Sequence, residues 1–334
     1  MGDRFAAARL PAVLALGFVI AGCTDAPVTL RIVSGPPEAN ERVAELLVAA
    51  SDEVETRIRL TRGAAVASSE DALSALDRGN ADLAIVENSV SYRHPSLRTV
   101  APLYPTVLHI GVRPERRGQT LREALRGATV FAGGEDAPSR QLLNRMATMY
   151  AWSGIEFSYV DTLEGRPDVV FVFAPISPSS APVLDGYELL SLGRAEDVGR
   201  GSAADGVSLV APFLRTFVIP EGTYGPLTPT AIATVAIDTL LVTRADIPRI
   251  DVYDLADALQ MMGPVLVVQR PDLAIGELET FELSHVTFPV HAGSQAFRRR
   301  NEPGFAERAS GIMEVLIALV AAVGTGILAA VRYW

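Results

Sequence analysis

The residues with the most chemical promise stand where a strand-like run gives way to a helical one. Gly133-Gly134-Glu135-Asp136-Ala137-Pro138-Ser139 forms such a turn. Its backbone N–H groups, with Gly134 at the bend, would be aimed at whatever lies above the strand, and the helix dipole would add positive potential. That arrangement suits an anion. Ser139 and Arg140 stand at its mouth, and a guanidinium matches a carboxylate bidentately. Glu135 and Asp136 compete for the same guanidinium and weaken the attraction for anions. The Ser34-Gly35 turn ahead of the first helix makes the same offer. Glu87-Asn88 follows directly on the apolar run Ala81 to Val86, beyond the carboxyl end of a strand, where ligands collect in open α/β sheets. Each position also has a bland reading, as ordinary loop chemistry or a solvated cap, and the residues alone leave both open.

Much other chemistry is excluded by residue type. The chain has no Lys, so all 29 basic residues are Arg; Schiff-base lysines, the P-loop lysine and Ser-Lys dyads are absent. The single Cys, Cys23, removes disulfides and Cys-based zinc sites. His94, His109, His285 and His291 show no metal-ligand spacing, and His109 lies in an apolar run, as a satisfied core residue would. Neither GxSxG nor GxGxxG occurs. Binding without a cofactor or metal is the expected role, rather than catalysis.

Both ends read as membrane attachments. Ile20-Ala21-Gly22-Cys23 closes an apolar run, Leu10 to Ile20, that follows Arg4 and Arg9. This is the pattern of a signal peptide (residues 1–22) ending in a lipobox, with Cys23 as the lipidated residue; an uncleaved anchor is the alternative. Ile312 to Val331 is 20 residues whose only charge is Glu314. At about 1.5 Å rise per residue it spans about 30 Å, a bilayer's hydrocarbon core. Arg332-Tyr333-Trp334 would anchor its end at the interface, and a buried core helix is the bland reading. Arg298, Arg299, Arg300 and Arg308 precede this run and only Arg332 follows it, which opposes an outside domain; a long translocated domain is largely indifferent to such flanking charge. Removal of residues 1–22 takes away Asp3, Arg4 and Arg9 and leaves 38 acidic against 27 basic groups, net −11. So acidic a domain is a poor partner for nucleic acid.

The elements that must position these residues alternate. Val28 to Ser34 reads as a strand, 38–50 as an amphipathic helix, and Thr56 to Thr61 as a strand. A helix capped by Ser68, with Asp71 three residues on, precedes the buried strand 81–86. This βαβαβ order implies a parallel sheet with helices on its faces. A long apolar passage, Leu97 to Val112, is interrupted by Pro102 and Pro105. A second series follows: a helix near 120–126, strand 128–132, helix 138–151, and strands 156–160 and 169–174. Ala231 to Thr243 is again apolar, and 252–262 is helical. Periodicity allows either two domains in series or two lobes with a returning chain.

Five stretches resemble, in order, the TAXI family of TRAP-transporter solute receptors, which are type II periplasmic binding proteins. They are Ala72-Leu73 with Gly79 to Val86; Leu97 to Gly111 around Leu103-Tyr104-Pro105-Thr106; Phe131 to Gly154; Ile219 to Tyr224 with Thr234 and Leu240-Leu241-Val242; and His291 to Phe297. The resemblance runs from about Leu30 to Phe297. It implies an α/β fold of two lobes with parallel-core sheets joined by crossing strands: lobe 1 from 28–111 and 230–297, lobe 2 from 112–229, then a linker at 298–311 and the transmembrane helix 312–331. It also implies a small organic acid or amino acid in the cleft, touching Ser34, Gly35, Glu87, Asn88, Tyr104, Gly134, Ser139 and Arg140, and delivery to a TRAP-type membrane permease on the periplasmic face of the cell membrane. The chain departs from the family in its first loop, which is not glycine-rich, in the Glu135-Asp136-Ala137-Pro138 insertion, and in the missing proline after His291. A tethered sensor or scaffold that acts on a membrane partner without transport is the competing expectation.

Overall fold

The computed structural model describes residues 27–302, apart from 36–37, 91–92, 153, 178–183 and 271–285, together with 319–320, 323–329 and 331–333. Ten strands form one continuous sheet. β1 (Val28–Ser34), flanked by β2 (Ile58–Arg62) and β3 (Leu83–Glu87), makes a parallel core. α1 (Glu38–Glu53) covers one face of it with Val43, Ala44, Leu47 and Ala50, spaced to share one side of a 3.6-residue helix. α2 (Ser69–Asp77) covers the other face with Ala72, Leu73 and Leu76. Buried on both sides, β3 has no polar residue before Glu87.

A second parallel core consists of β5 (Thr129–Phe131) between β6 (Ser158–Tyr159) and β7 (Val169–Pro175). It is covered by α3 (Leu121–Ala124) and α4 (Pro138–Met149). β8 (Glu188–Leu189), α5 (Ala203–Ser208) and β9 (Leu214–Ile219) complete this second lobe; their sequences are too short and mixed to announce themselves.

Two long strands join the lobes. β4 (Leu97–Val112) pairs with β7 through residues 106–112, and β10 (Ile232–Arg244) pairs with β9 through its first half and with β3 through Thr239 to Thr243. β4 and β10 lie antiparallel to each other, residues 97–107 against 236–244. Pro102 and Pro105 sit in the half of β4 whose ladder partner is β10, where register shifts already interrupt the pairing, so their missing N–H groups cost little. The chain then returns to the first lobe: α6 (Arg249–Gln269) packs beside α1 and β2, and α7 (Ala292–Arg298) packs on α6 and β4. α6 is longer at both ends than its periodicity suggests.

The architecture is therefore a two-lobed α/β fold joined by two long crossing strands, with one curled sheet rather than two separate ones. Cys23 and residues 1–22 lie outside the described residues, as does half of the run 312–331. The described parts of that run are helical, with Leu319, Val320, Val323, Ile327, Leu328 and Val331 exposed. Among the described residues no helix is long and apolar enough to cross a membrane.

Candidate functional site

A cleft of about 650 Å³ opens between the lobes. From the first lobe come Ser68, Ser69 and Glu70 at the start of α2, Glu87 at the end of β3, and Ser89 and Val90 just after it. From the second come Phe131, Gly133, Asp136, Ala137, Pro138, Ser139 and Gln141 around the β5–α4 turn, with Val172 and Phe173 of β7. Two helix N-termini thus face the cleft. That of α2 is closed by its own residues: Ser68 Oγ accepts from Asp71 N–H (3.1 Å) and donates to Asp71 Oδ2 (2.8 Å). That of α4 has no side-chain cap and begins with a proline, so the orphan donors of its first turn face the cavity. Gly133 adopts φ +76°, and a Cβ there would come within 2.8 Å of Ala137, so the turn requires glycine.

The expected ligand contacts divide. Glu87 and Ser139 line the cleft, though the Ser139 hydroxyl is buried and donates to Ala132 O at 2.6 Å, fixing the turn rather than facing a ligand. Gly134 lies just outside the lining and closes the turn by accepting from Ala137 N–H. Arg140 turns away: its guanidinium lies 4.1 Å over the Tyr159 ring and 3.6 Å from Asp161. Arg140 is therefore placed to brace α4 against β6, not to receive a carboxylate. Glu135 and Asp136 do not hold it either. Ser34 is buried and accepts from Arg62 (3.2 Å). At Gly35 a Cβ would meet the Ser68 backbone at 2.7 Å, so glycine lets the start of α2 approach β1. Asn88 is a clasp: its Oδ1 accepts from Thr287 N–H and its carbonyl from Thr287 Oγ1, both at 2.7 Å, which ties the returning chain to β3. Tyr104 is buried in the first lobe, hydrogen-bonded through its hydroxyl to Asn40.

Electrostatics overturns the expectation of an anion held by Arg140. Among the described residues the charged ones lining the cleft are Glu70, Glu87 and Asp136, all acidic. Glu87 is the unusual one. It is partly exposed on the cleft wall, and desolvation by the protein packed around it raises its carboxyl to about 7. Among the described residues no hydrogen bond or ion pair reaches that carboxyl. Glu70, by contrast, is held at the rim by His94 Nε2 (3.0 Å), whose Nδ1 faces Asp77. Burial opposes charge on His94, but the hydrogen bonds to Asp77 and Glu70 outweigh it and lift its pKa above the usual value. His109 is a core residue: Nδ1–H donates to Val107 O and Nε2 accepts from the Tyr224 hydroxyl, both at 2.8 Å, and burial lowers its pKa to about 4.

Sequence reasoning missed the apolar wall made by Phe131, Val172 and Phe173. These residues also border a side recess of about 240 Å³, whose lining is otherwise apolar except for His109. β7 begins buried at Val169 to Phe171 and then opens, a change that its uniformly apolar sequence does not signal.

No family model matches the chain, and no curated protein aligns with it. Among solved structures it is similar to the probable amino-acid ABC transporter extracellular-binding protein ytmK of Bacillus subtilis, at 12% identity over 73% of this chain and 95% of that one, TM-score 0.40. It is similar also to lactococcal OpuAC in its closed-liganded conformation with glycine betaine, at 11% identity over 65% and 77%, TM-score 0.40. A third is the VFT2 domain of BvgS from Bordetella pertussis, at 16% identity over 70% and 86%, TM-score 0.37. The architecture itself rests on the strand order and the two crossing strands.

Proposed function

We propose that this chain is a membrane-tethered, extracytoplasmic binding protein that captures a small polar solute between its lobes and is not an enzyme. The observation that carries the reading is the cleft: about 650 Å³, a volume suited to a small molecule, bounded by βα turns from two lobes whose strand connections are β4 and β10. A pair of crossing strands is a natural hinge, and closure would bury the solute without remodelling either core. Tethering is supported by the lipobox at Cys23 and the apolar run at 312–331, and it would hold the domain at high effective concentration beside a membrane partner. The ordered motif resemblance from about Leu30 to Phe297 supports a TRAP-type permease as that partner.

The test is ligand-induced stabilisation of the full chain purified in detergent. A panel of organic acids, amino acids, amines and sugars is screened by thermal unfolding. A true ligand at about 100 times its Kd adds about 2.7 kcal/mol, a shift of several degrees. A folded chain that no class stabilises would favour the scaffold reading and sink this one.

A further inference from the structure

We infer that the solute held in this cleft carries an ammonium group, received by the Glu87 carboxylate on the cleft wall. The inference deepens the binding-protein reading and rests on it. Its grounds are geometric. Among the described residues no cationic side chain lines the cleft, and the one predicted to serve, Arg140, is engaged with Tyr159 and Asp161. Glu87 is partly exposed on the cleft wall and has no side-chain partner among the described residues, whereas Glu70 has His94. A carboxylate open to the cleft and unclaimed by any side chain there is free to receive a cationic group of the solute.

Thr239 is the residue directly opposite Glu87 across the β3–β10 pair, so the two side chains project from the same face. Thr239 is fully buried behind the cleft wall and does not line it, so the Glu87 carboxylate is the group that meets the solute. A carboxylate unclaimed by other side chains matches the several N–H donors of an ammonium group better than any anion. The uncapped first turn of α4, on the opposite wall, offers donors for an acceptor at the solute's other end. Phe131, Val172 and Phe173 supply an apolar surface between. An amino acid or a comparable amine has this distribution of groups; a dicarboxylate does not.

Protonation of Glu87 gives the inference a sign. Its carboxyl titrates near 7 in the unliganded protein, and only the ionised form attracts an ammonium. Affinity for such a solute should fall about tenfold from pH 8 to pH 6, whereas a neutral solute that accepts from the protonated carboxyl should bind more tightly at pH 6.

The full chain in detergent is titrated by thermal shift at pH 6 and pH 8 against three separate arms: amino acids and alkylamines, organic acids without an amine, and uncharged sugars. The expected result is stabilisation by the amine-bearing arm alone, stronger at pH 8, and lost by at least tenfold in Glu87→Gln, which is uncharged and nearly the same shape. Stabilisation by organic acids or sugars only would overturn the inference and leave the binding reading standing. Amines that stabilise Glu87→Gln as well as the parent, or whose affinity does not weaken at pH 6, would overturn the assignment to Glu87. Absence of any stabilisation would overturn the reading on which it rests. If Glu87→Gln fails to fold, the pH dependence of the parent decides.

Discussion

Arg215 and Asp238 make the ion pair on which the junction between the lobes depends. Arg215, on β9, donates through Nε to both carboxylate oxygens of Asp238 at 3.1 Å, and its Nη2 lies 3.0 Å from Oδ1. Asp238 lies on β10 where that strand passes between lobes, and its own carbonyl accepts from Asn88 N–H (2.9 Å), directly after Glu87. Its side chain is only 5% exposed, that of Arg215 31%. Arg215→Ala would strand a carboxylate in a nearly dry site. Breaking a buried pair on one side costs about 3–5 kcal/mol, and the partial exposure of Arg215, which lets water in, places this case at about 3 kcal/mol. At roughly 2–3 °C per kcal/mol for a chain of this size, the midpoint should fall by about 6–9 °C. Thermal unfolding followed through Trp152, packed in the second lobe, would report it. The double variant Arg215→Ala/Asp238→Ala should be more stable than Arg215→Ala, because it removes the stranded charge. A single-variant shift below about 2 °C, or strictly additive losses, would refute this account of the junction.

The remaining predictions concern pH and anchoring. His94, whose folded pKa is raised, contributes stability that is fully present below its unfolded value of about 6.5 and is lost as pH rises through the higher folded value; His94→Gln should flatten that fall, measured as midpoint against pH from 5.5 to 8.5. Asp77 has the opposite sign, since its folded pKa is lowered, so its share should disappear at acid pH as the carboxyl protonates. Cys23→Ala should abolish lipid labelling while leaving the protein in the membrane fraction, because an apolar span anchors more firmly than acyl chains; a soluble variant would show that 312–331 is no span.

Local chemistry announces itself in the sequence where the signal is short-range. Val28–Ser34 as a strand follows from its β-branched residues, α2 from Ser68 capping Asp71, and α4 from Pro138 behind a glycine turn. The alternation of these elements implies parallel sheets, and the chain's residue types alone remove lysine, disulfide and thiol chemistry. What the sequence leaves open is where each polar side chain spends its hydrogen bonds. Arg140 follows Ser139 directly, yet one lines the cleft and the other lies over Tyr159, because adjacent residues on a helix point about 100° apart and β6 occupies the second direction. Asn88 and Glu87 are neighbours too. The returning segment at Thr287, 199 residues from Asn88, claims Asn88, whereas among the described residues Glu87 is left without a side-chain partner. Such assignments depend on contacts distant in the chain, and only the continuous sheet shared by the two lobes, with β10 crossing back beside β3, decides them.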